Sequence, residues 1–255
     1  GLSLAGRGDA ESGRLSLPPL PSPAAAGTAS SGASAAAGYD DYGAGAPPAA
    51  AESTPANGGA LSAPPVQGSG AVIRPADVAG VTFDVVPAES AATYTVRQKL
   101  ASLPLPNDVV GRTNAVSGEV HLDGRPSKVT VDLRTLDSDE PQRDMMLRER
   151  LGLPFNRFPF AELTLDSIAD LPAEYRSGET VQRSVTGSMK LREVERPMTF
   201  EVEARLQDGV LSVVGRTDFT WSDFDIPKVS VAGFVQAEDN VHIEVLLVAK
   251  GDTSG

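Results

Sequence analysis

The chain has 255 residues, and its 34 Asp and Glu outnumber its 22 Lys and Arg, which gives a formal net charge of −12. This acidic balance excludes a nucleic-acid partner bound through a basic surface, and the lack of cysteine excludes disulfides, thiolate metal sites and thiol catalysis. Because no run approaches about 18 apolar residues, we expect no transmembrane helix.

Residues 1–75 form a segment of distinct composition. Ala, Gly, Pro and Ser fill 52 of these 75 positions, and no hydrophobic period of a helix or a strand runs through them. Such a segment cannot bury enough apolar surface to offset the entropy that it loses on ordering. The sequence therefore predicts a low-complexity N-terminal tail or linker over 1–75, one folded domain over 76–250 and a short C-terminal tail over 251–255.

Seven apolar side chains interrupt the N-terminal tail: Leu2, Leu4, Leu15, Leu17, Leu20, Tyr39 and Tyr42. They leave two interpretations open. The tail is either an inert tether, or an extended arm that a protein partner or a second copy of the chain orders. Because the chain begins at Gly1 rather than Met, we also expect a cleaved precursor and an exported protein, located in the periplasm, outside the cell or at the cell envelope.

From Val81 onward, apolar and polar residues alternate with the period of two that is typical of half-buried strands. The alternating segments are 81–85, 92–96, 116–122, 129–133, 161–165, 185–191, 200–206, 213–221 and 241–247. Turn signals such as Asp123–Gly124 and Asp208–Gly209 separate several of them. Because an open sheet of this size leaves its edges unpaired, we expect closure into an all-β antiparallel barrel of about eight strands.

One segment follows a helical pattern instead. Asp139–Glu140–Pro141–Gln142 has the capping acid and the early proline that are typical of a helix start. In such a helix Leu147 and Leu151 share one face, and Asp144 and Arg148 are spaced for an i, i+4 ion pair. We expect one short α-helix of about ten residues, inserted in the barrel so that it plugs or caps one mouth.

Several short motifs resemble the YceI-like family in their order and spacing. They are R-D-M-M-L-R at 143–148, F-P-F-A at 158–161, V-T-G-S-M-K-L at 185–191, R-P-M-T-F at 196–200, R-T-D-F at 216–219 and S-D-F-D-I at 222–226. The resemblance covers roughly residues 80–250 and implies a lipocalin-like barrel. The family pattern has a Gly-containing turn where this chain has Arg192–Glu193–Val194–Glu195, and this departure predicts a longer or differently shaped hairpin.

The resemblance also implies an exported, non-catalytic protein that holds an isoprenoid lipid, such as a quinone tail or a polyprenyl chain, inside the barrel. Alternation alone leaves open whether the interior is hollow, because small inward residues either create a channel or complete a tightly packed core. The alternative function is a structural or accessory subunit of a larger extracytoplasmic or membrane-associated assembly, with a filled barrel and the N-terminal tail bound to a partner.

Inward positions of the predicted strands and helix supply the candidate ligand-binding residues. The predicted apolar lining is Phe83, Tyr94, Val96, Val131, Leu133, Leu147, Leu163, Phe200, Val202, Phe219, Trp221 and Phe224. Arg143, Asp144, Arg148 and Phe158 are candidates for the barrel mouth, where a polar head group would stay. For the three charged residues, a structural ion-pair cluster is the alternative.

Catalytic and metal sites are not expected. His121 and His242 fall on predicted outward faces, each with a glutamate two residues away, and two ligands do not close a metal site. Neither histidine has the Gly-x-Ser-x-Gly context of a serine hydrolase, and no phosphate-binding glycine loop is present. We therefore expect a protein that is not an enzyme and that carries no cofactor beyond a bound isoprenoid quinone or polyprenyl lipid.

Overall fold

The computed structural model describes residues 14–20, 70–100, 105–149, 154–166, 172, 174–227, 230–231 and 235–252. Within these ranges the chain forms fourteen strands and one α-helix. The strands are β1 (Val72–Ile73), β2 (Thr82–Val85), β3 (Ala91–Leu100), β4 (Asn107–Thr113), β5 (Val116–Val120), β6 (Ser127–Asp132), β7 (Asp137–Ser138), β8 (Phe160–Leu165), β9 (Tyr175–Arg176), β10 (Thr180–Leu191), β11 (Val194–Gln207), β12 (Val210–Thr220), β13 (Ser230–Val231) and β14 (Val235–Asp252). The helix is α1 (Pro141–Glu149), and short 3₁₀ turns lie at Pro75–Asp77, Pro87–Glu89, Leu133–Thr135 and Trp221–Phe224.

The main sheet closes into a barrel because β12 pairs with both β11 and β14. Around the wall the order is β12, β11, β10, β8, β6, β5, β2 and β14, with antiparallel neighbours throughout. Two of the eight wall positions are each shared by two shorter strands. β2 and β3 both pair with the same edge of β14, and on their other side β2 pairs with β5 and β3 pairs with β4. The predicted antiparallel barrel of about eight strands with one inserted helix is confirmed.

The sequence pattern missed the wall strand β4. This strand begins with Asn107 and Asp108 and contains Gly111, all poor strand formers. Gly111 lies directly opposite Tyr94 of β3, and a Cβ at this glycine would lie 2.1 Å from Tyr94 Cε1. The tyrosine ring therefore lies across the glycine backbone. A cross-strand contact of this kind, rather than local propensity, stabilises the strand.

Pairing extends past both predicted limits of the domain. Val72 of β1 lies opposite Arg176 of β9, although position 72 belongs to the predicted tail. At the other end β14 continues to Asp252, which lies opposite Thr82. Pairings this short show no detectable period in the sequence. Of the seven apolar side chains of the tail, Leu2, Leu4, Tyr39 and Tyr42 lie outside the described residues.

The hairpin between β10 and β11 corrects the expectation of a longer turn. Leu191 pairs directly with Val194, so that two residues make the connection. Arg192 adopts the left-handed conformation, with φ of 60°, that glycine takes at lower cost. Its guanidinium makes compensating contacts: Nη1 donates to the Asp225 carbonyl at 2.7 Å, and Cζ lies 5.0 Å from the centre of the Phe158 ring.

Two clusters of buried apolar side chains occupy the two ends of the barrel. The cluster next to α1 includes Phe200 and Phe224, and the cluster next to β1 and β9 includes Phe83. Val131 and Leu163 pack against both clusters. The apolar interior is therefore continuous from one end of the barrel to the other.

Candidate functional site

A cavity of about 280 Å³ lies inside the barrel and is lined by members of both core clusters. Its wall is almost entirely apolar and includes residues of β3, β5, β6, β8, β10, β11, β12, β14 and α1. The volume is close to the lower end of the range of small-molecule sites, about 300–1,000 Å³. Such a lining favours a hydrocarbon ligand, because a polar group buried there without a hydrogen-bond partner is destabilised.

Small inward side chains create this space. Those on the cavity wall are Ala92, Ala161, Ala204 and Gly215. A Cβ at Gly215 would lie 3.6 Å from Phe200 Cδ1, an ordinary contact, so the neighbours have not closed over this glycine. Gly187 is different, because a Cβ there would lie 2.4 Å from Leu165 Cδ2. Both alternatives for small residues therefore occur: open space at Gly215 and tight packing at Gly187.

Nine of the twelve side chains predicted to line the interior lie on the cavity wall: Tyr94, Val131, Leu133, Leu147, Leu163, Phe200, Val202, Phe219 and Trp221. The other three, Phe83, Val96 and Phe224, are buried within the core clusters instead. An inward position points either into the cavity or into a packed end, and a period of two does not distinguish these cases. The wall also includes residues that the sequence analysis left out, among them Ile73, Val78, Leu136, Phe155, Tyr175 and Ile226.

Aromatic side chains close the cavity at the end next to α1. Phe219 packs edge-to-face against Phe224, with ring centroids 5.0 Å apart, and against Trp221 at 6.4 Å. The indole Nε1 of Trp221 donates to the Glu238 carbonyl at 3.0 Å, so its polar group is satisfied while its ring lines the cavity. Trp221 is the only tryptophan of the chain, which makes its fluorescence a specific probe of the cavity.

Tyr94 adds a polar group to the wall. Burial, followed by the charge of Asp144, raises the pKa of Tyr94 to about 12. The phenol is therefore protonated at neutral pH and can donate a hydrogen bond to a ligand oxygen.

Two of the predicted mouth residues, Asp144 and Arg148, hold α1 against the barrel and are not part of the cavity wall. Asp144 is buried and accepts hydrogen bonds from the backbone N–H of Ser138 at 3.0 Å and from its Oγ at 2.7 Å. Arg148 donates to the carbonyls of Arg134 and Leu136 at 3.0 and 2.8 Å. Asp144 and Arg148 thus form hydrogen bonds with other groups and not with each other. The charge of Arg148 nevertheless helps to lower the pKa of Asp144.

The other two mouth candidates also lie off the cavity wall. Arg143 pairs with Asp139, with Nη1 2.7 Å from Oδ1. The Phe158 ring packs against the core cluster next to α1, and the guanidinium Cζ atoms of Arg157 and Arg192 lie 5.1 and 5.0 Å from its centre. For the three charged residues, these contacts match the alternative of a structural cluster.

We expect Asp144→Asn to destabilise the protein by about 1–3 kcal/mol at neutral pH, because the amide is a weaker acceptor for the two Ser138 donors. Burial by itself raises the pKa of Asp144, but the Ser138 hydrogen bonds hold it below the ordinary value. The stabilisation is therefore complete above the unfolded pKa, about 3.9, and is lost as the pH falls from there through the lower folded pKa. Urea unfolding of wild type and variant at several pH values measures this, and an equal difference at pH 7 and pH 3 would contradict it.

Arg183 is a wall residue that the sequence analysis missed. It lies directly opposite Val202 of β11 and lines the cavity between Val181 and Val185. Unlike these neighbours it is exposed, and within the described residues β8 pairs with β10 only at positions 188–191. The guanidinium, which donates to the Gln182 carbonyl at 2.9 Å, therefore lies where the cavity wall meets solvent. Extending the predicted 185–191 strand by two residues would have placed Arg183 on the inward face.

The two histidines lie away from the cavity wall. His121 was expected to face outward but is buried, with Nδ1 2.5 Å from the Pro126 carbonyl. His242 lies on the outer face, with Nδ1 3.0 Å from Asp218 Oδ1. In the part of the chain that the structure describes, no three His, Asp or Glu side chains form a metal-binding group. The same residues include no helix that is long and apolar enough to cross a membrane.

Two solved structures show the same fold. A polyisoprenoid binding domain from Saccharophagus degradans, implicated in plant cell wall breakdown, is 14% identical, with a TM-score of 0.53 over 67% of this chain and 98% of its own. BcnA from Burkholderia cenocepacia is 18% identical, with a TM-score of 0.51 over 66% of this chain and all of its own. At these identities the likeness establishes the fold alone.

The family comparison is more specific. No curated protein matches the chain. The family model described as the YceI-like domain matches residues 83–249, which is most of the barrel and well over half of the chain. The chain therefore belongs to the YceI-like family.

Proposed function

We propose that the barrel binds an isoprenoid lipid, with the hydrocarbon chain of a quinone or a polyprenyl compound in the interior cavity. The observation that carries this proposal is the apolar cavity inside a closed barrel. Each CH₂ removed from water contributes about 0.8 kcal/mol, so each five-carbon unit adds roughly 4 kcal/mol before the cost of association. The polyisoprenoid binding domain of S. degradans, which has the same fold, supports this ligand class.

The proposed role is binding and not catalysis. The cavity wall offers apolar contact surface, and Tyr94 and Arg183 are among the lining residues that carry a polar group. We further infer that the protein is exported, in line with the periplasmic location that is typical of this family. The alternative of an accessory subunit with a filled barrel is less favoured, because its packed interior does not match the cavity.

The first test is native mass spectrometry of the full chain, followed by solvent extraction and mass analysis of whatever is released. The second is a titration with a benzoquinone that carries two isoprene units, in which Trp221 fluorescence reports binding. Because Trp221 lines the cavity and is the only tryptophan, a quinone bound there should quench it in a saturable way. A chain that is purified empty and shows no saturable quenching would contradict the proposal.

We expect Arg183→Gln to weaken binding of this isoprenoid quinone by about tenfold, because the variant loses a charge-assisted hydrogen bond to the head group. Since Arg183 is exposed, this loss is at the low end of what such a hydrogen bond contributes. Squalene is a hydrocarbon without a head group, and its affinity is measured by displacement of the quinone. We expect the variant and the wild type to have the same affinity for squalene. Arg97→Gln is the matched control, since Arg97 is exposed on β3 and pairs with Asp108. Equal losses for both ligands would show that Arg183 acts on the fold and not on a head group.

A further inference from the structure

The outer face of the barrel has one unusual patch, where three neighbouring strands bury side chains on the side away from the cavity. Val214 of β12 is 0% exposed and Ala91 of β3 is 1% exposed, although Val213 and Gly215 are the β12 positions that face the cavity. Leu246 of β14 packs in the same small cluster. Strand residues that point away from a barrel interior normally face water. A further segment must therefore cover this patch.

The N-terminal arm, Arg14–Pro19, is that segment. Leu15 is 5% exposed and forms the small outer cluster with Ala91 and Val214, while Leu17 packs at its side. Two residues apart in an extended chain, Leu15 and Leu17 point to the same side, and Ser16 between them is exposed. The arm therefore presents one apolar face to the barrel.

Charged side chains of the wall hold the backbone of the arm. The backbone N–H of Leu15 donates to Glu244 Oε2 at 2.6 Å, and Arg216 Nη2 donates to the Leu15 carbonyl at 2.8 Å. Arg216 Nε also donates to Glu244 Oε1 at 3.0 Å, so that these two side chains form one clamp around Leu15. Further along the arm, Arg205 of β11 donates to the Pro18 carbonyl.

The clamp depends on the arm for its own stability. Glu244 is 3% exposed, and burial by itself would raise its pKa. The Leu15 N–H and then Arg216 hold the pKa of Glu244 below its ordinary value instead. Without the arm this buried carboxylate loses a backbone donor, and an apolar patch is left open to water. The outer face is therefore a site for an extended peptide, and its hydrogen bonds recognise backbone groups.

We propose that the outer face of β3, β11, β12 and β14 is a peptide-binding site on the side away from the interior cavity, and that the Arg14–Pro19 arm is its tethered ligand. The site takes an extended peptide that has two leucines two positions apart, followed by a proline. The carbonyl of the proline accepts a hydrogen bond from Arg205, and its nitrogen has no N–H that needs an acceptor. Fifty residues separate Pro19 from Gly70, so the arm is far along the chain from the strands that it contacts. Binding of such a segment is a separate, reversible step governed by effective concentration.

The test uses the full chain with Leu15→Asp and Leu17→Asp, which place charges where the arm is apolar and so release it. A labelled, end-blocked peptide of residues 14–19 is then added, and its fluorescence anisotropy is measured. The released variant should bind the peptide about tenfold more tightly than the wild type, whose own arm competes. Adding Glu244→Gln should weaken that binding about tenfold, and adding Ser184→Ala, on exposed β10, should leave it unchanged.

Hydrogen exchange of the wild-type chain needs no variant. The Leu15 amide should exchange at least about tenfold more slowly than in an unstructured peptide, because it donates to a buried carboxylate. An unprotected Leu15 amide, or a folded variant that fails to bind the peptide, would overturn the proposal. If the wild type sediments as a dimer and the Leu15→Asp, Leu17→Asp variant as a monomer, the arm comes from a second copy. That result would overturn occupancy of the site by the chain's own arm. Quinone quenching of Trp221 is a separate readout, since Trp221 lines the cavity whereas Leu15, Arg216 and Glu244 are not part of its wall.

Discussion

Replacing Gly215 with leucine is expected to weaken binding of an isoprenoid quinone by about a hundredfold while the barrel stays folded. Gly215 lines the cavity, and its Cβ position is open, with Phe200 Cδ1 3.6 Å away. A leucine side chain there occupies the space of about four ligand carbons, and the lost burial corresponds to roughly 3 kcal/mol. Saturable quenching of Trp221 fluorescence by the quinone measures the change.

A graded series separates exclusion of the ligand from damage to the fold. Gly215→Ala adds one carbon, so the expected loss is about fourfold, and the unfolding free energy should stay level or rise slightly. Thr186→Leu on the exposed face of β10 is the control, since it adds a similar side chain outside the cavity. Equal affinities of wild type, Gly215→Ala and Gly215→Leu would place the ligand elsewhere and contradict the proposed function.

The second large effect is expected for Phe224→Ala, which should lower the unfolding free energy by about 3–5 kcal/mol. Phe224 is 0% exposed and packs edge-to-face on Phe219 at 5.0 Å, so the truncation leaves a void that the surrounding strands cannot collapse onto. Phe160→Ala is a matched control, because Phe160 is 44% exposed and lies under the guanidinium of Arg134 at 5.4 Å. Its expected cost is within about 1 kcal/mol.

Urea unfolding followed by circular dichroism measures both variants on one scale. The same Phe224→Ala protein is also expected to bind quinone less tightly, because the void lies behind the aromatic side chains that close the cavity next to α1. A cost for Phe224→Ala no larger than that for Phe160→Ala would show that the Trp221–Phe224 turn packs less tightly in solution than in the structure.

Local patterns in the sequence were sufficient for the barrel and for all but one of its wall strands. The period of two in segments such as 200–206 and 241–247 marks half-buried strands, and Asp139–Glu140–Pro141 marks the start of α1. These signals are local because the pleat and the helical turn are local. β4 carries no such local signal, because it is stabilised by the contact of Tyr94 with Gly111 across the sheet.

The candidate site was only partly accessible to this reasoning. Phe83 and Phe200 have the same inward pattern, but Phe83 is buried in a core cluster away from the cavity wall whereas Phe200 lies on that wall. Arg183 continues the inward face of β10, yet its exposure follows from where β8 stops pairing. Neither distinction is contained in a period of two, which specifies a face and not a depth.

The sequence by itself determined that this chain forms a closed antiparallel barrel with one short helix, because alternation and helix signals depend on neighbouring residues. Only the tertiary structure decided which inward residues surround empty space and what covers the outside of the wall. The alternation at 241–247 predicts a strand that is buried on one face only, but the cover of its other face begins 229 residues earlier, at the hydrogen bond from Leu15 to Glu244. Contacts over such a separation depend on how the strands are arranged in space, so no local pattern predicts them.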